Sequence, residues 1–295
     1  MNWMPKAADS SRLHTSVGEV EIDCAGATDV GLNRKRNEDH FLIADLHKNM
    51  HVSDSSVPFP SPELFGQPMG KLLVVADGVG GGNAGDFASQ LAIQEMSIHL
   101  LNSMHWLFCP RQPEIEQFVE DLKTGAFRTH RAVCRDSANN PQHHGMGCTL
   151  TVAYLIWPML YVLHVGDSRC YVLRDGYIQC LTKDQTLAQM LYDSGHLNEV
   201  EFVESPYHHV LVSAIGGSND PEAVVYKTRL LAGDRILLCS DGVNAHLTDG
   251  QIETILAKPK APNEICQELI DESNLAGGTD NITAIVASST QTRKF

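Results

Sequence analysis

The sequence predicts a mixed fold of the α+β class, with antiparallel sheets in a single domain. Three observations support this prediction. Strand-like apolar segments cluster at the start and in the middle of the 295-residue chain, helical patterns come in two pairs, and strict strand–helix alternation is missing. The chain shows no internal repeat and no clear linker, so one large domain is favoured over two.

The first half of the chain contains three predicted strands and one pair of predicted helices. The strands cover residues 22–28, 40–46 and 71–76, and the helices cover residues 86–101 and 114–135. Between the second and third strands, residues 47–70 are rich in Ser and Pro. We interpret this segment as a surface insertion, and a tolerated loop is favoured over a docking element.

The second half begins with an apolar run over residues 150–166 that approaches the length of a membrane span. Pro158 interrupts the run and β-branched and aromatic residues are common on both sides, so two buried strands are favoured. Asp175-Gly176 predicts the tight turn of a later hairpin. The remaining elements are a helix at 186–194, an irregular segment at 195–220, strands at 223–231, 235–240 and 281–288, and helices at 251–256 and 263–275.

Composition and charge restrict the possible partners. Lys and Arg number 22 and Asp and Glu number 36, which gives a formal net charge of −14. A chain this acidic is not expected to bind nucleic acid or an anionic membrane. The eight cysteines are scattered without a CxxC pair, and residues 1–20 lack the apolar stretch of a signal peptide, so a cytoplasmic location is expected.

Acidic residues stand at the ends of several predicted strands. Those that follow an apolar strand are Asp77, Asp167 and Asp241, and those that precede a strand are Glu38, Asp39 and Asp280. Carboxylates that converge at one edge of the sheets repel one another unless a cation lies between them. Their hard oxygen atoms favour Mg²⁺ or Mn²⁺.

Asp-Gly pairs are also common turn signals, so each acid has a simpler interpretation. Asp175-Gly176 is assigned to a turn, and Asp249-Gly250 is assigned to the start of a helix. For Asp77 or Asp241 alone, a turn and a metal site are equally plausible. Their recurrence after similar apolar runs, together with Asp280, favours the metal site.

The spacing Gly80-x-Gly82-x-x-Gly85 between a strand and a helix also fits a dinucleotide-binding loop. However, the expected second strand with an acid about 20 residues later is missing. Asp77 would also stand where a pyrophosphate needs backbone N–H groups. A dinucleotide enzyme is therefore the weaker alternative, and the glycines fit better with close approach of the backbone to bound metals.

Seven short motifs follow one another along residues 22–288. They are segments 31–39 (GLNRKRNED), 76–81 (ADGVGG), 147–149 (GCT), 166–169 (GDSR), 181–184 (LTKD), 240–242 (SDG) and 277–281 (GGTDN). Each is weak alone, but in this order they resemble the metal-dependent serine/threonine protein phosphatases of type 2C, and bacterial-type members in particular. The resemblance implies a four-layer αββα sandwich of two antiparallel sheets flanked by helix pairs.

The resemblance also implies a domain organisation. Residues 22–290 form a single metal-dependent phosphatase domain, which residues 1–21 precede as an N-terminal extension. Residues 186–220 correspond to the mobile flap beside the active site of such phosphatases, and we expect them to influence the choice of substrate.

The resemblance assigns the acids to metal ions. Asp77 corresponds to the carboxylate that bridges two metals. Glu38 and the Gly78 carbonyl belong to one of these metals, and Asp241 and Asp280 belong to the other.

Four further positions complete the implied site. Asp167 resembles a ligand of a third, weaker metal. Asp39 corresponds to an acceptor that orients metal-activated water, and Arg34 corresponds to the residue that grips the substrate phosphate. Asn281 is expected to support the site through hydrogen bonds.

The implied function is hydrolysis of phosphoserine and phosphothreonine in proteins by a metal-activated water. The expected cofactors are two Mn²⁺ or Mg²⁺ ions per site, with a third as an option. The expected partners are phosphorylated substrates of serine/threonine kinases, which gives the protein a signalling role, and we expect a monomer.

Three positions depart from the family pattern. Val79 replaces a His of animal members, Gly82-Asn83 replaces the Gly-His of bacterial relatives, and Gln185 replaces a common His. These changes leave one alternative open, a catalytically silent phosphatase-like regulator that binds phosphoproteins.

Overall fold

A computed structural model describes residues 20–54, 56–57, 63–80, 84–103 and 112–291. The strands are β1 (Val20–Asp29), β2 (Asp39–His51), β3 (Glu63–Val79), β4 (Gly147–Cys148), β5 (Leu150–Ile156), β6 (Met159–Val165), β7 (Arg169–Arg174), β8 (Tyr177–Cys180), β9 (Val224–Arg229), β10 (Arg235–Cys239) and β11 (Ile282–Gln291). The helices are α1 (Ala84–Ser103), α2 (Gln112–Asn139), α3 (Leu187–Asp193), α4 (Glu199–Val203), α5 (Asp241–Asn244), α6 (Asp249–Leu256) and α7 (Pro262–Leu275).

Two antiparallel sheets form the centre of the fold. One has the strand order β1-β11-β10-β7-β8, and the other has the order β2-β3-β5-β6-β9, with β4 paired to the end of β3. The neighbours in both sheets are antiparallel. The predicted α+β class with antiparallel sheets is therefore confirmed.

Side chains that alternate along β3 show how the layers stack. Leu73 packs into a cluster between the sheets with Leu238 of β10. Its neighbour Val74 faces the other way and packs with Ala88 of α1 and Leu122 of α2. A third cluster joins α5, α6 and α7 to the outer face of the first sheet. Three apolar clusters thus separate four layers in the predicted αββα order.

The structure corrects the interpretation of residues 47–70 as a loop. Strand β2 continues to His51, β3 already begins at Glu63, and these two residues pair at the far end of the ladder. The register shifts on both sides of His47, as it does at a β-bulge. Ser and Pro content predicts a loop, but backbone hydrogen bonds extend the hairpin whatever the side chains are. Between the two arms, residues 55 and 58–62 lie outside the described residues.

Two local predictions are confirmed by backbone geometry. Asp175 and Gly176 have φ angles of 51° and 84° and connect β7 to β8 as a tight turn. The Thr248 side chain accepts a hydrogen bond from the Gln251 N–H, so Asp249 begins a capped helix.

The assigned N-terminal extension covers residues 1–21. Residues 1–19 lie outside the described residues, and the last two positions already belong to β1. Among the described helices, none combines the length and hydropathy that a membrane span requires.

Candidate metal centre

The predicted acids lie at the ends of neighbouring strands. Asp39 of β2 stands directly opposite Asp77 of β3 in the antiparallel register. In the other sheet, Asp241 lies two residues after the end of β10 and Asp280 lies two residues before the start of β11. These two strands are antiparallel neighbours, so the end of one meets the start of the other. Packing of the sheets then brings both acidic edges to the same end of the molecule.

The acids are close enough to affect one another electrostatically. Burial, followed by repulsion from Asp39 and Asp241, raises the pKa of Asp77 well above its ordinary value. Burial raises the pKa of Asp39 to about 6, although a hydrogen bond from Ser240 opposes this shift. The pKa of Asp167 is also well above its ordinary value, first through burial and then through repulsion from Asp241. A cation among these groups would remove the repulsion.

Two buried carboxyl oxygens have no hydrogen-bond partner in the described part of the chain. They are Oδ1 of Asp39 and Oδ1 of Asp241. Burying such atoms without a partner costs free energy, whereas Mg²⁺ and Mn²⁺ bind carboxylate oxygens readily. Oδ1 of Asp241 therefore fits a divalent cation, and Oδ1 of Asp39 fits a cation or a water molecule beside it.

The individual ligand assignments remain predictions. Among the described residues, no three His, Cys, Asp or Glu side chains are already spaced as the ligands of one ion. The structure brings the acids into one region.

The main chain of Glu38 is held on both sides. Its N–H donates to Oδ1 of Asn281 at 2.8 Å. Its carbonyl accepts hydrogen bonds from the Gly78 N–H at 3.2 Å and from the Ser89 hydroxyl at 2.6 Å. The Asn281 amide also donates to two backbone carbonyls of the loop before β2, at 2.9 and 2.8 Å. These contacts support the role expected of Asn281 and keep Glu38 beside the other acids.

Hydroxyl groups that the sequence did not single out also hold the acids. Ser240 donates to Oδ2 of Asp39 at 2.6 Å. Thr149 accepts from the Asp77 N–H at 3.0 Å and donates its own N–H to the Asp77 carbonyl at 2.8 Å. Ser240 and Thr149 belong to the motifs SDG and GCT, so their positions carried a signal. Ser89 lies within an ordinary helical pattern and carried none.

Arg34 lies on the accessible side of the acidic cluster. Its side chain is 53% exposed, and its Nη2 donates to Oδ2 of Asp280 at 2.7 Å. An exposed guanidinium in this position can donate to a phosphate. Its other N–H groups can do so while Nη2 stays bonded to Asp280.

Asp167 is buried at the turn that follows β6. The residue before it, Gly166, is fastened to Gln185 by two hydrogen bonds. The Gly166 N–H donates to Oε1 of Gln185 at 2.9 Å, and the Gln185 N–H donates to the Gly166 carbonyl at 2.8 Å. Gln185 thus joins the turn at Asp167 to the start of the predicted flap.

The glycine-rich segment after Asp77 starts where β3 ends. Val79 is 48% exposed at the end of β3. Gly82 and Asn83, where the sequence departs from bacterial relatives, lie outside the described residues.

Comparison with a family model described as protein phosphatase 2C gives a match over residues 63–269. Among curated proteins, the chain is 35% identical over 219 residues to the serine/threonine protein phosphatase PstP of Mycobacterium tuberculosis. That alignment covers 74% of this chain and 40% of PstP, so the chain spans about two fifths of that relative's length. It is also 29% identical over 227 residues to the serine/threonine phosphatase stp of Listeria monocytogenes, covering 76% of this chain and 86% of the relative.

Solved structures of bacterial phosphatases have a similar fold. The catalytic domain of PstP in complex with two manganese ions aligns with a TM-score of 0.70 and 30% identity, over 92% of this chain and 100% of that one. A serine/threonine phosphatase of S. agalactiae aligns with a TM-score of 0.72 and 25% identity, over 92% and 99% of the two chains. These similarities extend across nearly the whole sandwich.

Proposed function

The chain belongs to the protein phosphatase 2C family, and on this basis we propose that it hydrolyses phosphoserine and phosphothreonine in proteins with the help of Mn²⁺ or Mg²⁺. One observation carries the proposal. Acids from separate strands of both sheets meet at one end of the sandwich, and buried oxygens of Asp39 and Asp241 have no partner in the described part of the chain.

Five groups are proposed to hold two cations. Glu38 and the Gly78 carbonyl would bind one ion, Asp241 and Asp280 would bind the other, and Asp77 would bridge them. Bound cations supply Lewis-acid chemistry, because they make water a stronger acid and neutralise charge on phosphoryl oxygens. Asp167 would add a ligand for a third, weaker ion.

The chain's own residues would position the reactants. Arg34 is accessible and carries several N–H donors, so it can bind two oxygens of a substrate phosphate at once. Asp39 uses Oδ2 for Ser240 and keeps Oδ1 free to accept a hydrogen bond from water. Arg34 would thus hold the phosphate, and Asp39 would orient the water.

The activity can be tested with p-nitrophenyl phosphate and with a phosphothreonine peptide. We expect turnover that requires Mn²⁺ or Mg²⁺, stops on chelation and is lost in Asp77→Ala and Asp241→Ala. Glu272→Ala removes an exposed acid of α7 and serves as the matched control with normal activity. Turnover that persists without metal would falsify the proposal.

The same assay separates the catalytically silent alternative. A regulator that only binds phosphoproteins would bind Mn²⁺ and phosphopeptide in calorimetry and would hydrolyse neither substrate. The unpaired buried carboxyl oxygens fit a bound cation in either case, so turnover is the measurement that separates the two alternatives.

Location and partners are part of the same proposal. The seven cysteines in the described part of the chain are all free thiols, which supports the cytoplasm as the place of action. We propose phosphorylated proteins as the partners of a monomer that uses neither nucleic acid nor a membrane surface. The formal net charge of −14 supports that exclusion.

A further inference from the structure

A groove of about 460 Å³ opens between strand β9 and the flap, defined as residues 186–220. Its apolar lining includes Met190 of α3, Val212 near the end of the flap, and Val224 and Tyr226 of β9. Met190 and Val212 are 48% and 41% exposed, so they are open to solvent. A concave apolar surface of this kind is typical of a binding site.

The inner end of the groove adjoins the candidate metal centre. Gln185 lines the groove and also holds the backbone of Gly166, which precedes Asp167. Asp184 lines the groove as well, and its carboxylate accepts hydrogen bonds at 2.8 and 2.7 Å from Arg169 of β7, two residues after Asp167. A polypeptide with its phosphorylated residue at the centre can therefore extend into the groove.

Among the described residues that line the groove, one acid is left without a cationic partner. From Asp184 to Tyr226 the sequence contains seven acidic residues and no Lys or Arg. Lys183, at the edge of the groove, is bound by Asp193 at 2.6 Å. Glu222 on the wall is exposed and forms no ion pair within the described part of the chain. The groove therefore favours a positively charged ligand.

We propose that the groove binds a segment of the substrate protein in which a Lys or Arg lies beside an apolar residue. The apolar side chain would cover Met190 and Val212, and the cation would lie against Glu222. Charge complementarity selects this occupant over a second copy of the chain, whose net charge of −14 would bring like charges together. The inference rests on the proposed phosphatase function and names the class of substrate.

The test uses two phosphothreonine peptides that share a leucine and differ only in having Arg or Ala on both sides of the phosphothreonine. We expect kcat/KM to be about five- to tenfold higher for the Arg peptide, a preference of the size that one or two exposed charge contacts produce. Glu222→Lys should remove this preference and leave hydrolysis of the Ala peptide and of p-nitrophenyl phosphate unchanged. Met190→Ser should raise KM for both peptides and leave p-nitrophenyl phosphate unaffected.

The matched control is Glu272→Lys, which makes the same charge change on α7 and should keep the preference. High salt should reduce the preference in the wild type, since exposed charges are screened. Equal turnover of the two peptides by the wild type, or an equal loss on all substrates in Glu222→Lys, would overturn the proposal. A dimer in sedimentation that Met190→Ser dissociates would also overturn it, because a second copy would then occupy the groove.

Binding of the peptides, measured by fluorescence anisotropy, separates this proposal from the proposed function. The protein could hydrolyse neither substrate and still bind the Arg peptide more tightly than the Ala peptide, with the difference lost in Glu222→Lys. This result would contradict the catalytic function and support the groove proposal. Normal hydrolysis of p-nitrophenyl phosphate with equal binding of both peptides supports the catalytic function and contradicts the groove proposal.

Discussion

At the scale of single residues, the two oxygens of the buried Asp39 carboxylate have different surroundings. Oδ2 accepts a hydrogen bond from Ser240, and Oδ1 has no partner in the described part of the chain. The hydrogen bond fixes the orientation of the carboxylate, so the free oxygen faces a defined position. A sequence motif can predict the acid, but only the fold brings a serine 201 positions away to its side.

His164 is a residue whose protonation is prevented by its surroundings. It is buried on β6 between the Thr151 hydroxyl and the Lys183 carbonyl, at 3.0 and 3.1 Å from its two ring nitrogens. Burial lowers the pKa of His164 to about 4, against a weaker opposing effect of Asp184. The folded protein therefore keeps this ring neutral at pH values where an unfolded chain would protonate it.

We predict that this ring makes the protein less stable in mild acid. An unfolded His has a pKa of about 6.5, so below that pH the unfolded state binds a proton that the folded state does not bind. The stabilisation is complete above that value, and between about pH 7 and pH 5 it falls by about 2 kcal/mol. Urea unfolding of wild type and His164→Gln in chelator, over this pH range, measures the difference in slope.

The control for this prediction is His209→Gln, which replaces an exposed histidine of the flap and should follow the wild type. The variant His164→Gln should be less stable near neutral pH, because it changes a buried hydrogen-bonded group, but its stability should depend less on pH. If it loses stability as steeply as the wild type, another group governs the acid sensitivity.

At the scale of elements, the start of α1 lies against the end of β3 with no room for a side chain. A Cβ on Gly85 of α1 would lie 2.8 Å from Oε2 of Glu38 and 2.9 Å from the carbonyl carbon of Gly78. Both neighbours are proposed to bind the same cation. The helix therefore forms the wall against which this ligand pair rests.

We predict that Gly85→Ala weakens metal binding. An alanine in a helix normally stabilises a protein by about 0.5–1 kcal/mol. Here the added methyl group must displace Glu38 or the Gly78 backbone, and overpacking of this kind costs about 1–3 kcal/mol. We expect the Mn²⁺ concentration for half-maximal activity to rise about tenfold, as a loss near 1.4 kcal/mol requires.

Gly250 of α6 provides the matched control, since a Cβ there meets nothing within 4 Å. Gly250→Ala should be more stable by about 0.5–1 kcal/mol in urea unfolding, with an unchanged requirement for Mn²⁺. If Gly85→Ala also gained stability and kept its Mn²⁺ requirement, the close packing of α1 would have no part in holding Glu38.

The hairpin of β2 and β3 shows the limit of composition as a guide to elements. The apolar residues from Leu72 to Ala76 predict a strand, and they are buried on both faces of the sheet. The arms nearer the turn have no such pattern, yet they pair through the backbone as far as His51 and Glu63. Composition predicts a strand where apolar residues form a run, and a hairpin arm without such a run has no signal of this kind.

At the scale of the whole molecule, the two sheets enclose an apolar layer and collect acids at one end. Leu73, Leu238 and Ile285 are fully buried between the sheets, so the strands that carry the acids are fixed relative to one another. The acids at that end repel one another, and this repulsion opposes folding. A bound cation therefore connects the activity of the protein to its stability.

We predict that Mn²⁺ stabilises the whole domain. A ligand that binds only the folded state at a concentration 100 times its dissociation constant adds about 2.7 kcal/mol to the free energy of unfolding. The unfolding temperature in a thermal melt should therefore rise with Mn²⁺ and fall with chelator. Asp241→Ala should lose most of this response.

Glu272→Ala, which removes an exposed acid of α7, should keep the full response to Mn²⁺ and controls for non-specific screening of the negative surface. Mg²⁺ should act in the same direction. An unfolding temperature that rises equally with Mn²⁺ in wild type and in Asp241→Ala would place the stabilising ion elsewhere.

The sequence by itself determined the class of fold, most of the elements, the family and the acids of the candidate site. Apolar periodicity records which faces are buried. The motifs around Asp77, Asp241 and Asp280 combine acids with glycines, and few other kinds of site need this combination. Only the tertiary structure decided how those acids are held and what surrounds them. Ser240, Thr149 and Ser89 become supports, and Met190 comes to face β9 across a groove, through contacts between distant segments. Such contacts leave no periodic pattern in the chain, because each depends on how the layers stack.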